Sequence, residues 1–245
     1  MIKLMIHLAK IIVTFIIAFI FGSCNLNINK KSIKGNGKVI IKDRQLRGFN
    51  KISISEGLKC EITQGPNFKV MVEADQNIYD DILTEIEDNT LKISSENGNY
   101  INIKANKIHI TLPFIEELEA SSAAELKTKG IIKSNNIKLI TDSSADLTAL
   151  IESEKITIDA SSSSTITVSG KAIKLTIDSS SSSTVNARNL LANDIIANSS
   201  SSSEIRVHPL ISLHADASSS SSIYYAGSPK IKNLNDSSEG TIEKQ

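Results

Sequence analysis

"DSSSSSTV" (Asp178–Val185) decides the fold, because it reads either as a flexible linker or as the corner of a folded repeat. Ser-rich tracts poor in aromatics bury little apolar surface, and composition alone favours the linker. Spacing favours the corner. Near copies follow as "NSSSSSEI" from Asn198 and "ASSSSSIY" from Ala217, and each run stands between one apolar residue and another. The leading apolar positions read as Leu118, Ile140, Ile158, Ile177, Ala197, Ala215 and Leu234. The trailing ones are Leu126, Leu147, Ile166, Val185, Ile205, Ile223 and Ile242, and both series step by 18 to 22 residues.

Seven copies at a step near 19 residues predict a solenoid. Within one step, "KAIKLTID" alternates so that Ile173, Leu175 and Ile177 share a face, the serines turn the chain, and a second strand begins at Thr184. A second tight turn is expected near Gly130, Gly170, Pro209 and Gly227. The predicted fold is all-β, a flattened two-sheet parallel β-helix. Serine suits the corner because it is small and its hydroxyl can satisfy backbone groups that leave the ladder.

Working outward, residues 118–245 hold the seven repeats and residues 39–117 form a strand-rich first half. One stretch there departs from strand alternation: "DQNIYDDILTEIED" from Asp75 predicts a short helical turn near Asn77–Asp81 and then a hairpin. Residues 24–38 are polar and Gly-punctuated, and they read as a tether. Residues 1–23 read as an export signal, with Lys3 and Lys10 ahead of an apolar run that is too short to span a bilayer. "GSC" at its end resembles a bacterial lipobox. That resemblance implies cleavage before Cys24, whose thiol then takes diacylglycerol and whose amine takes a fatty acid such as palmitate.

Loss of Lys3 and Lys10 from a chain with 27 basic and 27 acidic residues leaves a mature charge near −2, which gives no electrostatic case for nucleic acid. Cys60 alternates with Leu58 and Ile62, so it reads as a buried, inert thiol. His109, His208 and His214 have no metal-like spacing, and no G-x-S-x-G elbow appears. Asp159 and Asp178 occupy equivalent places in successive coils, about 5 Å apart, which makes them calcium candidates with nearby hydroxyls. The alternative is turn capping.

The lipobox, "F-x-x-I-x-I" (Phe49, Ile52, Ile54), "ITQG" (Ile62–Gly65) and the serine-centred turns resemble the auto-transporter adhesin, head GIN domain family of Bacteroidetes envelope proteins. The resemblance covers about residues 36–245. It implies a β-helix similar in shape to pectin lyases and a noncatalytic adhesin role, anchored in the outer membrane through lipidated Cys24 with its leaflet left open. In that family the turns centre on Gly-Ser-Gly, whereas here serine replaces the glycines. The expected contact surface is the row of corners, Ser162, Ser163, Ser181, Ser201 and Ser220, together with Tyr224 and Tyr225 for stacking on a glycan or protein. An envelope scaffold or sensor that binds another periplasmic protein is the competing class. A polysaccharide-acting enzyme would need clustered carboxylates in a groove, and the outward positions carry no dominant cluster. No cofactor is expected.

Overall fold

The computed structural model describes residues 32–245; the signal, Cys24 and most of the tether lie outside the described residues. Eighteen strands and no helix make up the described chain. The first nine are β1 (Ile33–Lys34), β2 (Val39–Asp43), β3 (Lys51–Ile54), β4 (Lys59–Gln64), β5 (Lys69–Asp75), β6 (Ile82–Glu87), β7 (Thr90–Ser95), β8 (Tyr100–Ile101) and β9 (Asn106–Leu112). The repeat half follows as β10 (Glu117–Ala120), β11 (Glu125–Thr141), β12 (Asp146–Ala160), β13 (Thr165–Ser179), β14 (Thr184–Ser199), β15 (Glu204–Ala217), β16 (Ser222–Tyr225), β17 (Ile231–Asp236) and β18 (Thr241–Lys244).

Parallel pairing from rung to rung builds the predicted solenoid. On the sheet leading into the corners, the inward column runs Leu91, Ile52, Leu118, Leu139, Ile158, Ile177, Ala197, Ala215, Leu234. On the trailing sheet it runs Ile108, Cys60, Leu126, Leu147, Ile166, Val185, Ile205, Ile223, Ile242. Two rungs therefore precede the seven serine-cornered ones. Every member of both columns but Leu234 and Ile242, in the last rung, is buried. The column predicted through Ile140 is corrected to Leu139. Ile140 pairs with Glu119 and Asp159 and faces outward, whereas Leu139 is fully buried. The mistaken choice came from a run of three residues, Leu139-Ile140-Thr141, in which both apolar residues fit a step of about 19.

The second turn is corrected at three of its four expected sites; Gly227, with φ 79°, does stand at a bend between β16 and β17. Gly130, Gly170 and Pro209 lie inside β11, β13 and β15, so the backbone ladder continues around this far edge. The bend is absorbed by register shifts such as those between Lys127 and Ile131 and between Thr167 and Ser169. The helical turn near Asn77–Asp81 is instead a set of tight turns, with Ile78 N–H donating to Asp75 O and Asp81 N–H to Ile78 O. The hairpin that follows is present as β6 and β7.

Rung order is not chain order. β3 lies between β7 and β10, so the chain lays down its second rung first, steps outward to build the first, and returns for the third. Antiparallel strands close that end: β6 on β7, β5 on β9 and β2 on β5. Part of the stretch read as tether is strand, because β1 pairs with β8.

Asp75 ties this cap together. Its fully buried carboxylate accepts the N–H groups of Gly37, Lys104 and Ala105 at 2.9, 3.0 and 3.1 Å. Burial pushes its pKa up, but the three backbone donors outweigh burial and hold the carboxyl below its ordinary value. A depressed folded pKa contributes stability that is present above the unfolded value near 3.9 and is lost as pH falls through the folded one. Asp75→Asn turns two acceptor oxygens into one acceptor and one donor group. It should cost about 1–3 kcal/mol at neutral pH and flatten the acid limb of stability. Urea midpoints from pH 7 to pH 2 check both.

Candidate functional site: the serine edge

Each corner occupies the eight-residue step from a leading to a trailing inward residue, as from Ile177 to Val185. Its two central residues both have left-handed backbone: Ser122/Ala123, Ser143/Ser144, Ser162/Ser163, Ser181/Ser182, Ser201/Ser202, Ser219/Ser220 and Ser238/Glu239, with φ between 48° and 64°. Side chains with a Cβ resist this region at a cost of about 1–2 kcal/mol each. Two sets of hydrogen bonds hold them there. The second left-handed residue donates its N–H to the carbonyl of the first one in the next rung, as Ser163 to Ser181 at 2.9 Å, Ser182 to Ser201 at 3.0 Å and Ser202 to Ser219 at 3.0 Å. The serine that follows turns inward and is buried: Ser164, Ser183, Ser203 and Ser221. Ser183 Oγ donates to Ala160 O at 2.9 Å, Ser203 Oγ to Ser179 O at 2.8 Å and Ser221 Oγ to Ser199 O at 2.7 Å, each reaching the preceding rung.

Two serines one residue apart thus differ in role. Ser183→Ala should cost about 1–3 kcal/mol, since it leaves the Ser179 hydroxyl and buried backbone groups short of a partner. Ser182→Gly should instead stabilise by about 0.5–1 kcal/mol, because relief of left-handed strain exceeds glycine's extra entropy in the unfolded chain. Denaturant midpoints of the two variants should move in opposite directions.

Ser162, Ser163, Ser181, Ser201 and Ser220 are all exposed. Ser162, Ser181 and Ser201 fall in one column and Ser163 and Ser220 in the adjacent one, because the sixth run begins one place later in its rung. Tyr224 faces outward toward Arg206, whose guanidinium lies 5.8 Å from the ring centre. Tyr225 is a correction: it is buried at 6% exposure, because strand alternation turns it into the interior.

Asp159 and Asp178 are register partners, as the calcium reading required. Each carboxylate is already engaged: Asp159 by Lys138 Nζ at 2.7 Å, and Asp178 by Asn198 Nδ2 at 2.8 Å. The same exchange recurs where Asn235 Nδ2 donates to Asp216 at 2.7 Å. From Asp178 onward carboxylate and amide alternate in this column, and Lys138 offsets the charge of Asp159 beside Asp178, so the like-charge repulsion that would call for a cation is reduced. No group of three or more potential ligands that could hold a metal ion occurs among the described residues. Asp142 in the same edge is held below the ordinary carboxylate range by the hydroxyls of Ser162, Ser143 and Ser161. Asp142, Asp159, Asp178, Asn198 and Asp216 line a shallow depression of about 440 Å³ beside the corners.

A larger open groove, about 1060 Å³, lies away from the serines at the far edge, between Phe114 and Ile173 over Asn135, Asn136, Ser153 and Glu154. Phe114 is 73% exposed. The sequence reading missed it, since alternation from Ile108, Ile110 and Leu112 would turn residue 114 inward; Pro113 ends the strand and breaks that parity. Cys60 is buried, and burial followed by the charge of Glu61 pushes its thiol far up, which leaves it unreactive.

This architecture matches a known family. The family model described as "Putative auto-transporter adhesin, head GIN domain" matches residues 48–229. The chain belongs to this family. Its description is that of an adhesin-like envelope or surface protein and not of an enzyme. Among solved structures, a "putative adhesin" from Bacteroides fragilis is similar at 24% identity and a TM-score of 0.82, over 87% of this chain and all of that one. A "putative lipid binding protein" from Parabacteroides distasonis is similar at 22% identity and 0.70, over 88% of this chain and all of that one. A "putative adhesin" from Parabacteroides merdae follows at 17% identity and 0.69, over 87% and 99%. At these identities the likeness establishes the shared fold. No curated protein matches the sequence.

Proposed function

We propose that this head GIN domain protein is a noncatalytic envelope lipoprotein, anchored through Cys24, whose serine edge adheres to a repetitive glycan or protein surface. The observation that carries this reading is the pair of exposed hydroxyl columns, repeated rung by rung on left-handed backbone. Rungs about 4.8 Å apart present hydroxyls at fixed intervals, with their backbone already ordered. Each hydrogen bond contributes only about 0.5–1.5 kcal/mol net, so useful affinity comes from many contacts at once. A second reading, docking of another envelope protein, is favoured by Phe114, because a ring exposed to this degree at a groove is a natural anchor for a partner.

Glycine is the right probe for the corners, since it deletes the hydroxyl and keeps the backbone. Ser162, Ser163, Ser181, Ser201 and Ser220 replaced together by Gly should leave a folded protein whose display on cells or beads gives at least a tenfold loss of attachment to glycan and matrix surfaces. Phe114→Ser should leave that attachment unchanged. Loss with Phe114→Ser alone would move the contact to the groove, and turnover of a polysaccharide by the purified protein would revive an enzyme.

A further inference from the structure

The two ends of the rod are finished differently. The first rung is covered by antiparallel β6 and β5, whereas the last rung, β17 and β18, has no strand beyond it among the described residues. All six residues of β17 are exposed, including Ile231 at 57% and Leu234 at 39%. Register places Lys232, Leu234 and Asp236 above Leu213, Ala215 and Ala217, all three buried. The inward face of the last rung is therefore a cation, an apolar residue and an anion at spacing two. An inward charge on an edge strand repels most incoming strands, because it would be desolvated without a partner.

One strand does supply the partners. An antiparallel copy of β17 centred on Leu234 sets Leu234 against Leu234, Lys232 against the partner's Asp236, and Asp236 against the partner's Lys232. Directly opposite residues share a face, so both ion pairs close on the same side of the joined sheet as the leucines. We propose that β17 is a homophilic interface, through which two copies of this chain join end to end about a twofold axis. The charges then serve as a filter, admitting a second copy and rejecting unmatched strands. Each chain enters its rod at the opposite end, where β1 and β2 lie, so the two entry points sit at the far ends of the pair. The inference rests on β17 and is independent of the serine edge.

Leu234→Cys in the full-length chain, expressed in an envelope, tests this directly. Opposed residues in an antiparallel pair have Cα atoms about 4.5–5.5 Å apart, within the range a disulfide spans. A disulfide-linked dimer should appear on non-reducing gels at ten times or more the yield of Ser162→Cys, an exposed control on the serine edge. Adding Lys232→Asp should cut that yield at least tenfold, because the introduced carboxylate would face the partner's Asp236. Adding Asp236→Lys to the same chain should restore it. Yield no higher than the control, indifference to Lys232→Asp, or failure of the double reversal to restore linkage would each overturn the proposal and leave these charges as a polar cap.

Discussion

Val185→Asp is expected to unfold the middle of the rod. Val185 is fully buried between Ile166 and Ile205 in adjacent rungs, and no cation lies in that column to meet a carboxylate. An unpaired charge in such a place costs about 3–5 kcal/mol, a large part of the roughly 5–15 kcal/mol typical of a whole domain. Rungs touch only their neighbours, so the damage should spread outward from the fourth serine corner and not arise everywhere at once. Limited proteolysis should cut the variant between residues 160 and 210 under conditions that leave the wild type intact. Thr184→Asp, one residue away on the outer face, should behave as wild type. Equal damage from both would mean that the proposed alternation is wrong.

Gly170→Ala should be nearly as harmful, for a different reason. Gly170 has φ +121°, and a Cβ there would come 2.0 Å from Ile151 O and 2.9 Å from its carbonyl carbon. Both are backbone atoms of the neighbouring rung and cannot rotate away. The combined clash and strain should cost about 2–5 kcal/mol. Gly130 occupies an earlier far-edge bend with φ +83° and open space around the same position. Gly130→Ala should therefore cost only the strain, about 1–2 kcal/mol. Urea midpoints that fail to separate the two variants would contradict the account of how the far edge bends.

The serine half was legible because one spacing carried it: eight residues from leading to trailing column, repeated, with small residues between. The same spacing joins Ile52 to Cys60, and "SEGL" there is an eighth corner, with Glu56 and Gly57 left-handed and Gly57 N–H donating to Ser122 O. It escaped notice because Glu56 and Gly57 stand where serines stand elsewhere. The first rung was hidden further, by the residues inserted between Ser95 and Asn106 and by a chain that builds its second rung first. Such an inversion has no local signature. Of the candidate site, the exposed serines follow from position in the run. Which serine turns inward depends on a register that small residues hardly specify, and the same ambiguity placed Ser220 with Ser163 and not with Ser162. Tyr225 was misassigned by leaving open which of two adjacent tyrosines faces out, a choice that counting from Ile223 settles. Phe114 required knowing where a strand stops.

Amide hydrogen exchange at the corners tests the central claim most directly. In the rod, the N–H groups of Ser163, Ser182, Ser202 and Ser220 are bonded to the next rung, although their side chains lie in solvent. These four amides should exchange at least a hundredfold more slowly than the same residues in an unstructured peptide, and no faster than amides of the flanking strands by more than tenfold. Exchange at the unstructured rate in all four would make the serine runs linkers and would contradict the fold.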